Sequence, residues 1–323
     1  MRKWIKIVLW TLLSAAAVIV CVVRWQAWFG MPAEPQWTGD TLVYSFPTFA
    51  GDSVCGFVRT DRGWQDTLSP QSLDLLVLGD VHNGLLRSDY DTLAARVPQA
   101  DVLVQAGDWL ERGYTYYYQL LLREYTGSAL AGLPVIACPG NHEYSKGLHK
   151  QLAPEWPEWF GQQKGLSCVP GMNYYVDFPQ LRFIVIDTNP LNRLVYMTRT
   201  ATWLRGLIQS ADGRAVVVMM HHPVLPAGEG RFNPTIYATF RLLLREADVV
   251  IAGHDHSYMR SMPYVVLNTA GKTKPQRKRP LSEYVSAEPA YMVLTQADGG
   301  DICLRTYRIC DGEMIDSVYV KHN

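Results

Sequence analysis

The sequence predicts an α/β protein, and three observations predict it. Five short apolar runs, Leu73–Leu78, Asp101–Ala106, Pro134–Cys138, Ala215–Met220 and Ala247–Ala252, read as strands buried on both faces of a sheet. Stretches with helical spacing, Ser88–Val97, Thr115–Tyr125, Thr202–Ser210 and Pro234–Glu246, lie among them. Each apolar run passes directly into residues rich in Asp, Asn and His, at the strand end where open α/β sheets bind ligands.

Composition sets the outer bounds. At 323 residues, 48% hydrophobic and 19% charged, the chain holds one large domain or two small ones. A formal net charge of zero gives no global case for nucleic acid or an acidic partner. The six cysteines, Cys21, Cys55, Cys138, Cys168, Cys303 and Cys310, show no C-x-x-C spacing, which argues against a thiolate zinc site. Cys303 and Cys310 flank a strand at an odd spacing, which argues against their pairing, and Cys138 reads as a buried thiol.

The N-terminus is basic at Arg2, Lys3 and Lys6, then uncharged from Ile7 to Val23. Counted from Trp4 with Lys6 snorkelling, the run is about 20 residues, enough to cross a bilayer. Residues 1–29 therefore read as a membrane anchor, with Trp25, Trp28 and Phe29 at the interface. A cleaved signal peptide is the rival, but Val22 to Ala27 offers a poor cleavage site. The positive start puts the rest of the chain in the periplasm or exterior. Residues 30–40 form a proline-bearing linker, and 41–323 form the catalytic domain.

Within that domain, Leu42–Phe46 and Val54–Arg59 are short strand candidates ahead of Leu73. Tyr144 to Gly171 is irregular and rich in Trp, Pro and Gly. Tyr174–Phe178 and Arg182–Asp187 form an antiparallel pair around Pro179 and Gln180. Pro234 suits a first helical turn. Tyr264–Thr269, Ala290–Thr295, Ile302–Arg308 and Met314–Val320 are later strands, the last two joined at Asp311-Gly312. The basic loop Lys272–Arg279 is either solvated or a contact for phosphate or lipid head groups.

Five strand ends carry metal-ligand chemistry: Asp80 and His82, Asp108, Asn141 and His142, His221 and His222, and His254 and His256. Of eight histidines only His149 and His322 fall outside these motifs, which scattered structural histidines would not do. In order and spacing, Asp80 to His82, Gly107-Asp108 through Arg112-Gly113, Gly140 to Glu143, His221 to Pro223 and Gly253 to His256 resemble the calcineurin-like metallophosphoesterase superfamily over about residues 73–260.

The resemblance implies a four-layer α/β/β/α fold, a β-sandwich with helices on both outer faces and two metals at strand ends. One metal takes Asp80, His82 and His256, the other takes Asn141, His221 and His254, and Asp108 bridges them. It implies phosphoester hydrolysis by a metal-bridging hydroxide, with His142 as acid for the leaving oxygen and Arg112 similar to a phosphate-binding arginine. Glu143 reads as an outer-shell or capping residue. Oxygen and nitrogen donors without thiolate favour Mn, Fe or Zn. The substrate is then a phosphorylated small molecule or lipid, with a phosphodiesterase or pyrophosphatase on a nucleotide or lipid-linked compound as alternative. A non-catalytic sensor of phosphorylated ligands is the reading from another class. Glu111 stands where purple acid phosphatases carry a tyrosine ligand, and the paired His254 and His256 depart from the serine/threonine phosphatases.

Overall fold

The computed structural model describes residues 72–144, 173–190, 194–228, 231–274 and 281–322. It also describes a few positions between Trp10 and Val18 and the backbones of short strands at 53–54, 57–60, 63–66 and 167–169. Most of the apolar N-terminal run, the linker, Leu42–Phe46, His149, most of Tyr144 to Gly171 and Arg277–Arg279 lie outside the described residues. Among the described residues no helix is long and apolar enough to cross a membrane.

The strands are β1 (Ser53–Val54), β2 (Phe57–Thr60), β3 (Gly63–Asp66), β4 (Leu73–Leu78), β5 (Val102–Gln105), β6 (Pro134–Ala137) and β7 (Ser167–Val169). They continue as β8 (Tyr174–Asp177), β9 (Leu181–Ile186), β10 (Ala215–Met220), β11 (Val249–Ala252), β12 (Tyr258–Ser261) and β13 (Tyr264–Val266). The last four are β14 (Tyr284–Ser286), β15 (Ala290–Gln296), β16 (Ile302–Arg308) and β17 (Met314–Val320). The main helices are α1 (Arg87–Arg96), α2 (Thr115–Tyr125), α3 (Leu194–Gln209) and α4 (Pro234–Phe240).

Two seven-stranded mixed sheets result, ordered β17-β16-β15-β4-β5-β6-β7 and β14-β12-β13-β11-β10-β9-β8. The small hairpin sheet β1-β2-β3 stands apart from both in pairing. Side-chain alternation along each strand explains how two sheets and their helices fit together. From β4 and β5, Leu75, Val77, Val102 and Val104 point to one side, where they meet Phe183, Val185, Val217, Met219, Val249 and Ile251 of the other sheet. On the opposite side Leu76, Leu78 and Leu103 pack with Tyr90 and Leu93 of α1 and Tyr118, Leu121 and Tyr125 of α2. The second sheet repeats the arrangement, with Ile184, Ile186, Val216 and Val218 against Met197 and Leu204 of α3 and Ile236 and Phe240 of α4. Truncating one of these buried leucines to alanine costs ~2–5 kcal/mol. The fold is thus two mixed sheets sharing one core, with helices on the flanks.

Local chemistry sets the element ends. Asn233 caps α4, its Oδ1 accepting from Thr235 N (3.0 Å) and Ile236 N (3.1 Å), with Pro234 in the first turn. The sequence reading of one helix over Pro234–Glu246 divides in the structure. α4 stops at Phe240, and a 3₁₀ turn over Leu243–Glu246 follows, letting Leu243 and Leu244 reach the core. α3 begins at Leu194, earlier than expected. The expected strand Val54–Arg59 is instead two strands of a hairpin. β8 and β9 pair antiparallel around Pro179-Gln180, and β16 pairs with β17 across a turn in which Gly312 has φ +79°. Cys138, Cys303 and Cys310 are free thiols.

Candidate metal centre

Parallel pairing puts β4, β5 and β6 in one sheet and β10 and β11 in the other with their carboxyl ends at the same edge. Asp80 and His82 leave β4, Asp108 leaves β5, Asn141 and His142 leave β6, His221 leaves β10, and His254 and His256 leave β11. The turns are tight. Asp80, His82, Asp108, His254 and His256 all have positive φ, between 49° and 75°, a conformation that costs non-glycine residues energy. Such strain gathered on the histidines and carboxylates of one cluster marks a functional site. Gly140 lets two turns interlock, since a Cβ there would stand 2.1 Å from Asp108 Oδ1.

The side chains converge. Asp108 Oδ2 lies 3.7 Å from His82 Nε2 and 3.2 Å from His221 Nε2. Asp80 Oδ1 is 3.8 Å from His82 Nε2, and the His82 and His256 rings stack at 5.0 Å. Asn141 Oδ1 is 3.3 Å from His221 Nε2, and the His221 and His254 rings meet edge-on at 5.2 Å. Asp80, His82 and His256 form one group able to hold a cation. His221, His254 and His222 form another, and Asp80, Asp108 and His221 a third that joins them. Asp80 is fully buried, yet neither carboxylate oxygen has a hydrogen-bond partner among the described residues. An orphaned buried carboxylate is costly, and a cation is the natural partner for one facing neutral imidazoles. The donor set therefore fits divalent metal ions.

Electrostatics prepares the donors. Burial, then neighbouring histidines, brings the His82 imidazole down to about 3 despite Asp108. Burial and Lys274 bring His256 down to about 4, and burial with His222 holds His254 well below the ordinary histidine range. These three are neutral at neutral pH, as ligands must be. Burial alone would keep His221 neutral too, but Asp108 outweighs it and pushes the imidazole up to about 10. The same pairing, acting against burial, holds Asp108 below the usual carboxylate range. A cation bound by these two side chains would take the place of that proton.

Supporting residues fix the geometry. Glu143 accepts from Asp108 N (3.0 Å), Leu110 N (2.9 Å) and Gly140 N (2.6 Å), tying the β5 and β6 turns together. His221 Nδ1 rests on the Ala106 carbonyl at 3.0 Å, leaving Nε2 toward Asp108. His142 N donates to Asp108 Oδ1 at 2.8 Å, and its Nδ1 sits on the Glu111 carbonyl. The Glu111 carboxylate lies 3.5 Å from His82 Nδ1, near enough to feel the ring although outside hydrogen-bond geometry. His222 binds Thr188 Oγ1 through Nδ1 (2.8 Å), with its ring 4.5 Å from His254. Arg112 is exposed, and among the described residues it makes no ion pair.

Arg231 escaped the sequence reading, whereas Lys274 belongs to the basic loop read there as solvated or as a contact for phosphate or lipid head groups. Arg231 Nη1 donates to His254 Nε2 at 3.0 Å, and Lys274 N donates to the His256 carbonyl at 3.1 Å. Arg231 could have been found by its place, ten residues past His221 in a Pro- and Gly-rich loop leaving a ligand-bearing strand. His322 lies elsewhere, its Nδ1 3.2 Å from Asp248 Oδ1.

A paired-sheet fold with carboxylates and neutral histidines at one strand edge defines the class as a candidate metal-dependent hydrolase. The chain belongs to the calcineurin-like phosphoesterase family, which matches residues 73–258. A glycerophosphodiester phosphodiesterase, GpdQ of Enterobacter lignolyticus (strain SCF1), is 26% identical over 166 residues, 49% of this chain and 56% of that protein. The chain thus spans little more than half the length of that relative. Two solved structures share the fold. The Plasmodium inner-membrane-complex anchor GAP50 has a TM-score of 0.63 at 15% identity, over 78% of this chain and 90% of that one. The purple acid phosphatase PPD1 of yellow lupin (Lupinus luteus) has a TM-score of 0.62 at 13% identity, over 80% and 56%.

Proposed function

We propose that the chain hydrolyses phosphoesters with two divalent metal ions, one held by Asp80, His82 and His256 and the other by Asn141, His221 and His254. The observation that carries this reading is the buried Asp108 carboxylate, whose Oδ2 faces His82 on one side and His221 on the other. Two cations held by these residues would supply Lewis-acid charge for the phosphoryl oxygens and for an attacking water.

The chain's own residues do the rest. Asp80 and the neutral His82 and His256 bring their ligand atoms within 4.8 Å of one another. His142 donates Nδ1–H to the Glu111 carbonyl, so the ring can give a proton to the leaving oxygen from Nε2 when it carries both protons, and keeps the Nδ1 proton afterwards. Arg231, already beside His254, orients a phosphoryl oxygen, and exposed Arg112 meets the substrate at the rim. The strained turns and the Glu143 clamp hold these groups in place before substrate arrives. The phosphodiesterase relative supports a diester as the first substrate to test.

Asp108→Asn is the decisive variant, because it keeps the shape and removes the charge facing both groups. Metal analysis and turnover of bis(4-nitrophenyl) phosphate are expected to show wild type with close to two metals per chain. The variant is expected to lose metal and to fall on the order of 100-fold in rate. Wild-type metal content and rate in the variant would remove the two-metal reading.

A further inference from the structure

Asp255 stands between the candidate ligands His254 and His256 and is fully buried. Among the described residues it nevertheless belongs to none of the groups able to hold a cation. Its charge is used elsewhere. Asp255 Oδ2 accepts from Ala227 N and from Gly228 N, the latter at 3.1 Å, in the segment that runs from β10 toward α4. Hydrogen bonds to an ionised carboxylate are roughly twice as strong as neutral ones. The turn Gly253–His256 thereby grips a stretch of chain 28 residues away. From Gly228 the path leads to Arg231 and back. Arg231 N donates to the Gly228 carbonyl at 3.4 Å. The Arg231 side chain lies across Gly228, where an added Cβ would stand 2.7 Å from Arg231 Cγ. Arg231 Nη1 then donates to His254 Nε2 at 3.0 Å, one residue from Asp255. His254, Asp255, Gly228 and Arg231 form a closed circuit.

The two ends of this circuit respond differently to a cation. A guanidinium only donates, so His254 Nε2 accepts from Arg231 with the single lone pair of a neutral imidazole. A cation on His254 needs that same lone pair. The two cannot share it, so engaging the ligand releases Arg231 from the imidazole. What keeps the guanidinium at the site is then the Gly228 side of the circuit, which Asp255 secures. The released N–H group needs a new acceptor, and a phosphoryl oxygen at the centre provides one with charge assistance.

We propose that Asp255 is a positioning residue: through Gly228 it holds Arg231 beside His254, where the guanidinium donates to a phosphoryl oxygen in place of the imidazole. The inference rests on the phosphoesterase reading above and adds the residue that keeps its arginine in place. Asp255 acts through Arg231 and touches neither the substrate nor the reacting atoms.

Calorimetric titration of the full chain with inorganic phosphate at saturating Mn(II) tests this. Arg231→Ala is expected to weaken phosphate binding about tenfold, as loss of one charge-assisted contact does. Gly228→Ala, whose new methyl group pushes against Arg231 Cγ, should weaken it by about the same factor. Asp255→Asn keeps the shape and an oxygen for the two N–H groups but removes the charge, so it should weaken binding about threefold. In the Arg231→Ala background neither of the other two changes should cost anything more, because the arginine they position is gone. A residue that only supports the fold would carry its loss into that background unchanged. Equal losses with and without Arg231, for Asp255→Asn or for Gly228→Ala, would overturn the proposal, as would wild-type affinity in any of the three single variants. Failure of the underlying reading looks different: wild type would bind phosphate no better with Mn(II) than without it.

Discussion

His142 is held at two points that leave only one nitrogen for chemistry. Its backbone N donates to Asp108 Oδ1 at 2.8 Å, its Nδ1 lies on the Glu111 carbonyl, and its ring meets His82 edge-on at 4.5 Å. An acid fixed this way contributes most when the leaving oxygen is a poor one, typically ~10²–10⁴-fold. His142→Ala should therefore slow an alkyl phosphate ester by about that factor and a nitrophenyl ester far less, with metal content kept. The backbone contact to Asp108 survives the change, which is why metal should stay. Equal losses on both substrates at full metal occupancy would leave His142 a positioning residue only. The ligand residues were legible in the sequence because their chemistry sits in runs: an apolar strand, then Asp, Asn or His at its end. The contacts of Arg231 with His254 and of Lys274 with His256 were not: Arg231 shows only as a basic residue in a loop leaving a ligand-bearing strand, and Lys274 only as part of a basic loop. Only the fold of two distant loops brings them there.

Elements show the same division between local and long-range causes. β10, β16, β17 and α2 stand at the residues that period and turn chemistry indicate, since each is a strong local pattern. β12 and β14 were missed. β12 holds Tyr258-Met-Arg-Ser261; it pairs with the adjacent β13 across Met262-Pro263, while its other partner, Tyr284 of β14, lies well along the chain. The helix read across Pro234–Glu246 fails where core packing of Leu243 and Leu244 overrides propensity. One element is argued from sequence alone: the basic start and uncharged run Ile7–Val23 favour a retained anchor with the catalytic domain outside the cytoplasm. Reporter fusions after Asn323 should be active only for a reporter that works outside the cytoplasm. N-terminal sequencing of the membrane fraction should begin at or next to Met1, whereas a start near Ala27 would show cleavage and remove the anchor.

At the scale of the molecule, Asp187 joins the two sheets near the candidate centre. It leaves β9 of the second sheet and is fully buried. Its Oδ1 accepts from Asn189 N and Nδ2, both at 2.9 Å, and Tyr144, just beyond the β6 turn, donates to Oδ2. Asn189 Nδ2 also reaches the Pro139 carbonyl at 2.9 Å, in the turn that presents Asn141. Burial pushes the Asp187 carboxyl up to about 6, although those hydrogen bonds oppose it. In the unfolded chain it titrates near 3.8. Between those values the folded state keeps a proton that the unfolded state has released. Its contribution to stability is therefore complete below about pH 4, shrinks as the pH rises toward 6, and is gone above. The loss is ~3 kcal/mol at most. Asp187→Asn carries a neutral amide of the same shape at every pH, with Oδ1 still able to accept from Asn189. Relative to wild type, its urea midpoint should gain steadily from pH 4 to pH 7, and the comparison at each pH cancels the titration of every other group. Midpoints that run parallel over that range would show that Asp187 is ionised in the folded protein throughout, and that the junction of the two sheets is held by a buried charge.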